Sequence, residues 1–587
     1  MKMPRVTSAP ATLDGFSRHA AKISSLPAKH LAVLIFSFLC HLGVKAQDTN
    51  YYTPAQYLAM QPVPVFKPGH QLPELTTDGV QLPMDLGAKL TTNWGYAFDL
   101  GSGLTTYVNG GYTYPQWPYP LQALLLAETN HFPCSVHLDR FWSNPSQIPT
   151  NWVIGSGMWC TNSAGMIIDS SSNFWANVPS NYWRRVISPE APPSEWTNVA
   201  ALTAAPLKSI LSSNINVVII LNDGEYGLGV PAAQAAACWA EPRVQAAMAT
   251  NGLTFPTYTS IQKSNQMRFI SAAVRAAVPH RQFYIGYNFT GEEQFRYTCY
   301  GTNWDANWYW GWNSGMMNPT VDLPSFENYY QGPLFFTNPP NASLSTGYDL
   351  LTKYLNGIGY DIAIGATNHT YDWVSGGWSV NNTNVLADIP TFMGFLKCLY
   401  IAGMIGCNAG YYIQPPATNV PSIFGEWATV NHGDIAFNGK FPTNIPPHWL
   451  LQEIAVARVH ALFSYQDTFL FNSDLLPGNG QHVEALDQPS YEFTNSLGNK
   501  NIRTLARKLR GTNEWLICCW APSSPSTNVT VNIPILGTVN LLARPSGAVY
   551  LATTNSLMLQ DTNGIYPTEW MALGSRPAPP TGLRQNN

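Results

Sequence analysis

The sequence predicts an α/β protein in which a (β/α)8 TIM barrel is followed by a small antiparallel β-sandwich. Strand-like and helix-like segments alternate from about residue 85 to residue 475 of the 587-residue chain. This alternation is typical of parallel βα units. After residue 500 the pattern changes to short segments of alternating apolar and polar residues, which is typical of antiparallel sheets.

The barrel prediction depends on the number of strand-like segments. Eight segments have strand character, and eight parallel strands close a barrel. They are residues 89–100, 133–142, 184–192, 215–227, 282–292, 323–330, 360–373 and 403–412. Apolar residues at helical spacing predict helices at residues 195–213, 265–278, 346–358, 389–403 and 446–465. A doubly wound open sheet is the alternative, but no Gly-rich phosphate loop follows the first strand.

The predicted sandwich consists of short strands separated by Gly, Pro, Asn and Ser. These strands are residues 502–509, 514–522, 528–536, 538–545 and 547–554. The resulting division is a signal peptide at 1–46, a lead-in at 47–84, the barrel at 85–475, a linker at 476–499, the sandwich at 500–575 and a tail at 576–587.

The N-terminal segment predicts export to a secreted or periplasmic location. An apolar run at residues 31–39 follows several basic residues and precedes a plausible cleavage position after Ala46. The run is short for a bilayer span, although an uncleaved anchor is the alternative. After cleavage we expect no stable membrane insertion.

Charge and composition restrict the partners. Cleavage lowers Lys+Arg from 30 to 24 and Asp+Glu from 34 to 33, which leaves a net charge of −9 and argues against a nucleic-acid partner. Aromatic residues make up 13% of the chain, more than a core normally needs, so we expect some to face a ligand. Eight cysteines follow residue 46 without zinc spacing, and sequence cannot choose their pairing. We predict no metal and no cofactor, and the oligomeric state stays open.

The candidate active site begins where an apolar run ends abruptly. Residues 215–221 are mostly apolar, and Asn222, Asp223, Gly224 and Glu225 follow. In a βα barrel, functional residues lie at the carboxyl ends of the strands. An acidic residue there can instead cap the next helix, but that helix begins too late in the sequence for Glu225 to be its cap.

An asparagine followed by an acid at the end of the fourth predicted strand resembles the Asn-Glu of retaining (β/α)8 glycoside hydrolases. That clan includes many β-galactosidases, β-agarases and cellulases. The resemblance implies that the acid after Asn222 is the general acid/base. Two residues, Asp223 and Gly224, separate Asn222 from Glu225 and depart from the clan pattern. Either acid can therefore be the proton donor, and we favour Glu225 because its side chain is longer.

Glycoside hydrolysis requires a second carboxyl group across the scissile bond. Glu327 is the first choice as nucleophile, because Phe326, Tyr329 and Tyr330 would surround it with aromatic rings. Asp372 is the second choice, since the resemblance places the nucleophile on strand seven. Glu426 is the third. A surface or capping carboxylate is the alternative for each of them.

We expect further polar and aromatic residues to bind substrate, because short planar polar groups suit sugar hydroxyls and indole rings stack on sugars. The predicted substrate-binding residues are Trp94, Asp99, His137, Asp139, Arg140, Asn222, Asp223, Asn288, Trp304, Tyr329, Asp372, Trp373 and Glu426. His137 can equally be a core histidine.

The sequence thus predicts an exported glycoside hydrolase acting on a poly- or oligosaccharide, with a galactan of the agar type favoured by loose resemblance. A noncatalytic carbohydrate-binding barrel is the main alternative. A polysaccharide lyase, in which a Tyr or His base replaces the second acid, is a further one.

Overall fold

The structure is a computed structural model of the chain. It describes residues 51–52, 67, 71–72, 76–77, 95–96, 106–109, 112–115, 134–138, 154–168, 185–211, 217–222, 238–277, 279, 283–288, 322–329, 347–363, 365, 367–380, 383–409, 441–442, 448–480, 490–522 and 524–561. The predicted signal peptide lies outside the described residues. Contacts divide the chain into a small unit, residues 1–51 and 442–444, and a large unit, residues 52–441 and 445–587.

Strands and helices alternate along most of the chain. The strands before the C-terminal region are β1 (Tyr51–Tyr52), β2 (Thr76–Thr77), β3 (Gly95–Tyr96), β4 (Thr106–Asn109), β5 (Tyr112–Pro115), β6 (Cys134–Leu138), β7 (Val217–Asn222), β8 (Tyr284–Asn288), β9 (Leu323–Ser325), β10 (Glu327–Tyr329), β11 (Thr370–Ser375), β12 (Gly377–Val380), β13 (Thr383–Leu386), β14 (Met404–Ala409) and β15 (Phe441–Pro442). The helices are α1 (Pro193–Leu211), α2 (Pro242–Asn251), α3 (Phe255–Ala277), α4 (Gly347–Ala363), α5 (Ile389–Ala402), α6 (His448–Ser464) and α7 (Asp467–Phe471), with a 3-10 turn at Ser156–Met158.

Two parallel sheets form the central part of the large unit. One has the order β6-β7-β8-β9 and the other the order β10-β11-β14-β2-β3. A single residue, Phe326, separates β9 from β10, and β3 contacts β6. The hairpins β4-β5 and β12-β13 are antiparallel additions. Parallel strands require crossover connections, and described helices lie on those from β6 to β7, β7 to β8, β10 to β11 and β11 to β14.

Two of the predicted strands differ from the structure. Within the described residues 185–192 no strand forms, and Ile187 makes only a single bridge to Trp159. Pro189 and Pro192 follow closely, and proline cannot donate to a strand ladder. The segment predicted at 360–373 begins as the last turn of α4, and its strand starts only at Thr370. Strand β2, in the predicted lead-in, was missed because it has only two residues.

Helix α5 is buried around its whole circumference. The Asp388 side chain accepts a hydrogen bond from the Thr391 N–H at 3.0 Å, which caps the N-terminus. Every residue from Thr391 to Ala402 is buried, and Lys397 is the one charged residue among them. The helix contacts α4, α6 and β14, and also two strands of the C-terminal sheet. A helix that is apolar on all faces needs such a position.

The C-terminal strands are antiparallel. They are β16 (Ser473–Leu475), β17 (Arg503–Leu509), β18 (Glu514–Trp520), β19 (Thr527–Ile533), β20 (Gly537–Ala543), β21 (Ala548–Thr553) and β22 (Ser556–Leu559). One sheet has the order β16-β17-β18-β21-β22, and β19-β20 forms a second. Because β16 belongs to the larger sheet, antiparallel pairing begins at Ser473, before the predicted start of the sandwich.

Strand β18 of the larger antiparallel sheet is buried on both faces. Leu516 and Cys518 of β18 lie in the same apolar cluster as helix α5. Trp515 and Ile517, which point to the opposite face, pack with Val529 and other residues of the two-stranded sheet. The alternation along β18 is therefore apolar on both faces, as expected for a strand between two layers.

Lys397, a buried cation on helix α5, joins this helix to the larger antiparallel sheet. The Lys397 ammonium donates to the carbonyls of Ser546 at 2.7 Å and Gly547 at 3.0 Å, and it contacts the Asp561 carboxylate. Burial of an ionised group is costly unless such partners are present. The contacts therefore fix α5 against the turn that precedes β21.

Among the described residues, no helix combines the length and the apolar content needed to cross a bilayer.

Gly394 provides a test of the packing between α5 and β18. A Cβ atom at this position would overlap the indole of Trp520 and lie 2.6 Å from the Pro545 carbonyl oxygen. We expect Gly394→Ala to lower the free energy of unfolding by about 1–3 kcal/mol through overpacking. An ordinary helical glycine gains about 1 kcal/mol from the same change, so urea denaturation distinguishes the two by sign. Increased stability would contradict the described packing.

Candidate active site

The predicted site residues that the structure describes lie on the parallel strands, and some of them lie at the carboxyl ends. His137, Asn222, Asn288, Glu327 and Tyr329 lie at or near the ends of β6, β7, β8 and β10, and their backbone positions are described. Asp372 and Trp373 lie on β11, with their side chains described. The others lie outside the described residues: Trp94, Asp99, Asp139, Arg140, Asp223, Glu225, Trp304 and Glu426.

Strand β7 brings the Asn-acid segment to this edge. It ends at Asn222, and the sequence continues with the two candidate acids. Asn222 is the register partner of Leu138 on one side and of Tyr287 on the other. Register therefore aligns the ends of β6, β7 and β8, and with them His137, Asn222 and Asn288.

Glu327 lies where the chain passes from one parallel sheet to the other. Ser325 is the register partner of Asn288 on β8, whereas Glu327 is the register partner of Trp373 on β11. Phe326, between them, donates its N–H to the Asp372 carboxyl at 2.9 Å, and its carbonyl accepts the Trp373 N–H at 2.8 Å. The Asp372 side chain thus accepts the Phe326 N–H, which in a continuous strand would donate to a carbonyl of the neighbouring strand.

Asp372 is held in the core. Its side chain is fully buried, and its carboxyl also accepts a hydrogen bond from the Thr370 hydroxyl at 2.6 Å. The Thr370 hydroxyl in turn shares a 2.7 Å hydrogen bond with Tyr354 of helix α4. The carboxyl therefore faces the layer between strand and helix. These are the contacts of a group that positions the backbone beside Glu327.

Burial changes the acidity of this carboxyl. Removal from water raises the pKa of Asp372 to about 8, although the hydrogen bonds from Thr370, Phe326 and Tyr354 act in the opposite direction. Desolvation dominates because the side chain has no exposed surface. At neutral pH the group is mainly the neutral acid, which suits a hydrogen-bonding role in the core better than nucleophilic attack.

The described aromatic side chains next to Glu327 in sequence or register are buried. Phe326 does not line a cleft beside the carboxylate as expected, because it is buried and packs edge to face on Tyr354 at 5.4 Å. Trp373 is also buried, with 1% of its surface exposed, and it is the register partner of both Glu327 and Asn408. Trp373 is therefore part of the core at the level of Glu327.

Sequence reasoning missed Thr370 and Tyr354, which hold the Asp372 carboxyl. Thr370 precedes Asp372 by two residues and so lies on the same face of β11. That spacing was a signal available in the sequence. Tyr354 comes from helix α4, and only the packing of that helix on β10 brings its hydroxyl to Thr370.

The raised pKa of Asp372 predicts how stability depends on pH. The folded value, about 8, exceeds the ordinary value of 3.8, so the folded state binds the proton more tightly. This contribution is complete below about pH 4 and is lost as pH rises towards 8. We expect Asp372→Asn, which mimics the neutral acid, to gain stability relative to the wild type between pH 5 and pH 8. Thermal unfolding at several pH values measures this, and parallel curves for the two proteins would contradict it.

Comparison with known proteins gives only distant structural similarity. No protein-family model matches the sequence, and no curated protein matches it. The chain is similar to a maltogenic α-amylase from Thermotoga neapolitana at 9% identity and a TM-score of 0.32, covering 75% of this chain and 79% of that one. It is also similar to a family 5 glycoside hydrolase from Bacteroides vulgatus at 8% identity and a TM-score of 0.39, covering 86% and 96%. A cold-adapted β-galactosidase from Rahnella shows 10% identity and a TM-score of 0.38, covering 68% and 58%. Because these similarities are low, function has to be inferred from the chain's own residues.

Proposed function

We propose that this protein is an exported glycoside hydrolase that cleaves O-glycosyl bonds of a poly- or oligosaccharide with Glu225 and Glu327. Glu225 is the general acid/base and Glu327 is the nucleophile. The reaction needs one protonated and one ionised carboxyl group on opposite sides of the scissile bond. Glu225 follows the carboxyl end of β7 and Glu327 follows that of β9, two parallel strands separated by β8, and such sites form at carboxyl ends.

The register of three adjacent strands carries this proposal. Asn222 on β7, Tyr287 on β8 and Pro324 on β9 are register partners at one level of the sheet. Glu225 follows Asn222 by three residues, and Glu327 follows Pro324 by three residues. The two acids therefore start from a common level, with a single strand between their own strands.

The strand spacing suits a pair of catalytic carboxyl groups. Neighbouring strands lie about 4.8 Å apart, so β7 and β9 are separated by roughly 10 Å. Two glutamate side chains that lean towards each other across such a gap bring their carboxyl groups to about 5–5.5 Å, the separation in retaining enzymes. A separation of about 6.5–9.5 Å would serve an inverting enzyme instead.

The architecture we propose is a (β/α)8 barrel followed by a β-sandwich. Its eight barrel strands would be β2, β3, β6, β7, β8, the pair β9 and β10 counted as one, β11, and β14. The parallel pairings and the contact between β3 and β6 support closure. In this order β7 is the fourth strand, which agrees with the resemblance of the Asn222 segment to the retaining clan. The packing of the two C-terminal sheets supports the sandwich.

Glu327 is preferred to the other two candidates for the nucleophile. Asp372 lies on β11, the seventh strand of the proposed barrel, where the resemblance expects a nucleophile. Its buried carboxyl, however, contacts Phe326 and Thr370. Its role in the proposal is to position the strand that carries Glu327. Glu426 lies outside the described residues and stays the third choice.

In the proposed mechanism, Glu225 protonates the leaving oxygen while Glu327 attacks the anomeric carbon. Water then hydrolyses the glycosyl-enzyme intermediate with Glu225 acting as base. Burial among aromatic residues would raise the pKa of Glu225 and keep it protonated near neutrality. We propose that Asn222, Asn288 and His137 bind sugar hydroxyls at the same edge. Galactans of the agar type are the first substrates to test.

Removal of either carboxylate provides the main test. We expect Glu225→Gln and Glu327→Gln each to lower kcat by roughly 10²–10⁴-fold on a substrate found by screening a glycan panel, because each removes a proton or nucleophile from the reaction. Reducing-sugar release measures the rate. Affinity for the glycan should change far less, since the amide keeps the shape of the acid.

Asp474→Asn is a matched control, because Asp474 is an exposed acid paired with Arg510 in the antiparallel sheet. It should leave kcat unchanged. Full activity in both glutamate variants would refute the assignment. Glycan binding by the wild type without product release would support the carbohydrate-binding alternative, and an unsaturated product would support the lyase.

The stereochemistry of the first product tests the retaining mechanism. Two displacements return the anomeric carbon to its original configuration, whereas direct attack by water inverts it. We expect proton NMR of early reaction mixtures to show the product anomer with the configuration of the substrate. Inversion would leave the pair of acids intact but would make Glu327 the general base.

A further inference from the structure

Two pairs of cysteine sulfurs are in contact although the residues of each pair are far apart in sequence. The sulfur of Cys398 on α5 lies 3.7 Å from that of Cys518 on β18, across 120 positions of the chain. The sulfur of Cys160 lies 3.8 Å from that of Cys238, across 78 positions. All four side chains are fully buried. Two such coincidences within the described residues call for a chemical explanation.

The Cys398 pair lies at the junction between the parallel and antiparallel parts. Cys518 points towards helix α5, in the same cluster as Leu516 and Trp520. Its neighbour Cys519 points to the other face of β18, where its sulfur lies 3.3 Å from the Thr504 hydroxyl. Strand alternation therefore presents only one of these adjacent thiols to Cys398.

The Cys160 pair joins the connection between β6 and α1, which holds Cys160, to the connection between β7 and α2, which holds Cys238. Cys160 is fixed by a backbone hydrogen bond from its N–H to the Val186 carbonyl at 2.8 Å. Cys238 lies close to Glu241, a buried acid that accepts hydrogen bonds from Ser188 at 2.6 Å and from the Thr161 N–H at 3.3 Å. The Cys238 carbonyl accepts the Glu241 N–H at 3.2 Å, so hydrogen bonds hold the backbone at both cysteines.

We propose that Cys398–Cys518 and Cys160–Cys238 form disulfide bonds in the exported protein. A disulfide requires sulfurs about 2 Å apart, so each pair must close by less than ~2 Å, which side-chain rotation can supply. In each bond two thiols lose two protons and two electrons. A disulfide-containing oxidant of the export compartment accepts them and is reduced to two thiols. The oxidising compartment is the one expected from the predicted signal peptide.

The surroundings indicate that the bonds form during folding. Burial raises the pKa of the Cys398 thiol well above its usual range, and contact with Cys238 raises that of Cys160. Thiolate is the species that attacks a disulfide, so the closed core suppresses exchange. Oxidation therefore precedes closure of the core, and the finished bonds resist reductant until the protein unfolds.

Peptide mapping of the full-length protein, secreted by a host into an oxidising compartment, tests the proposal. The protein is unfolded in an alkylating reagent without reductant and digested. We expect linked peptides that join Cys398 to Cys518 and Cys160 to Cys238, whereas Cys519 is alkylated. Alkylation of the four proposed cysteines, or a link from any of them to another partner, would overturn the pairing.

Matched variants provide a second readout. Cys398→Ala and Cys518→Ala should each make the partner thiol alkylatable and lower the melting temperature by about 5 °C or more. Reductant during unfolding should lower the melting temperature of the wild type and of Cys519→Ala, but should have a smaller effect on Cys398→Ala. Equal effects on all three proteins would count against this bond. Activity on glycans does not enter these measurements, so they are independent of the proposed reaction.

Discussion

Burial of helix α5 on every side is the constraint on which the rest of the structure depends. A helix with no polar face needs neighbours all around it. Strand β14 and helices α4 and α6 cover one part, and strands β17 and β18 cover another. Lys397, the one charge on the buried helix, ends among carbonyls of the β20–β21 turn. The antiparallel sheet is therefore part of the packing that holds the parallel strands, and through them the candidate site, in place.

A second buried polar group connects this packing to the site. The Asp372 carboxyl takes the N–H of Phe326 at the residue where pairing passes from β8 to β11. The next residue is Glu327. The Thr370 hydroxyl donates a hydrogen bond to the Asp372 carboxyl and shares another with the Tyr354 hydroxyl. Because these polar groups are hydrogen-bonded, the fully buried acid is tolerated. The backbone position of Glu327 thus depends on the buried, neutral Asp372 beside it.

The proposed chemistry follows from parallel register. Parallel strands bring residues that are far apart in sequence to one edge, because every carboxyl end points the same way. Asn222 ends β7 and Asn288 ends the neighbouring β8, while Glu327 begins β10, two residues after β9 ends beside β8. An aromatic-rich chain with few charges suits a neutral sugar ligand, whose faces are apolar and whose rim is polar. In the proposed function, the chemistry takes place at this edge, and the core positions the strands that form it.

The sequence by itself determined the local elements: the helices near α1, α3, α4, α5 and α6 and the C-terminal strands follow from periodicity, which is a local property. It also singled out Asn222 and Glu327 from abrupt polar switches. Tertiary structure alone decided that β2 joins the sheet and that Asp372 faces helix α4. Those outcomes depend on contacts with residues of other elements, Asn408 of β14 and Tyr354 of α4, which no local pattern contains. The pairing of cysteines belongs to the same class, because distance in sequence says nothing about distance in the folded core.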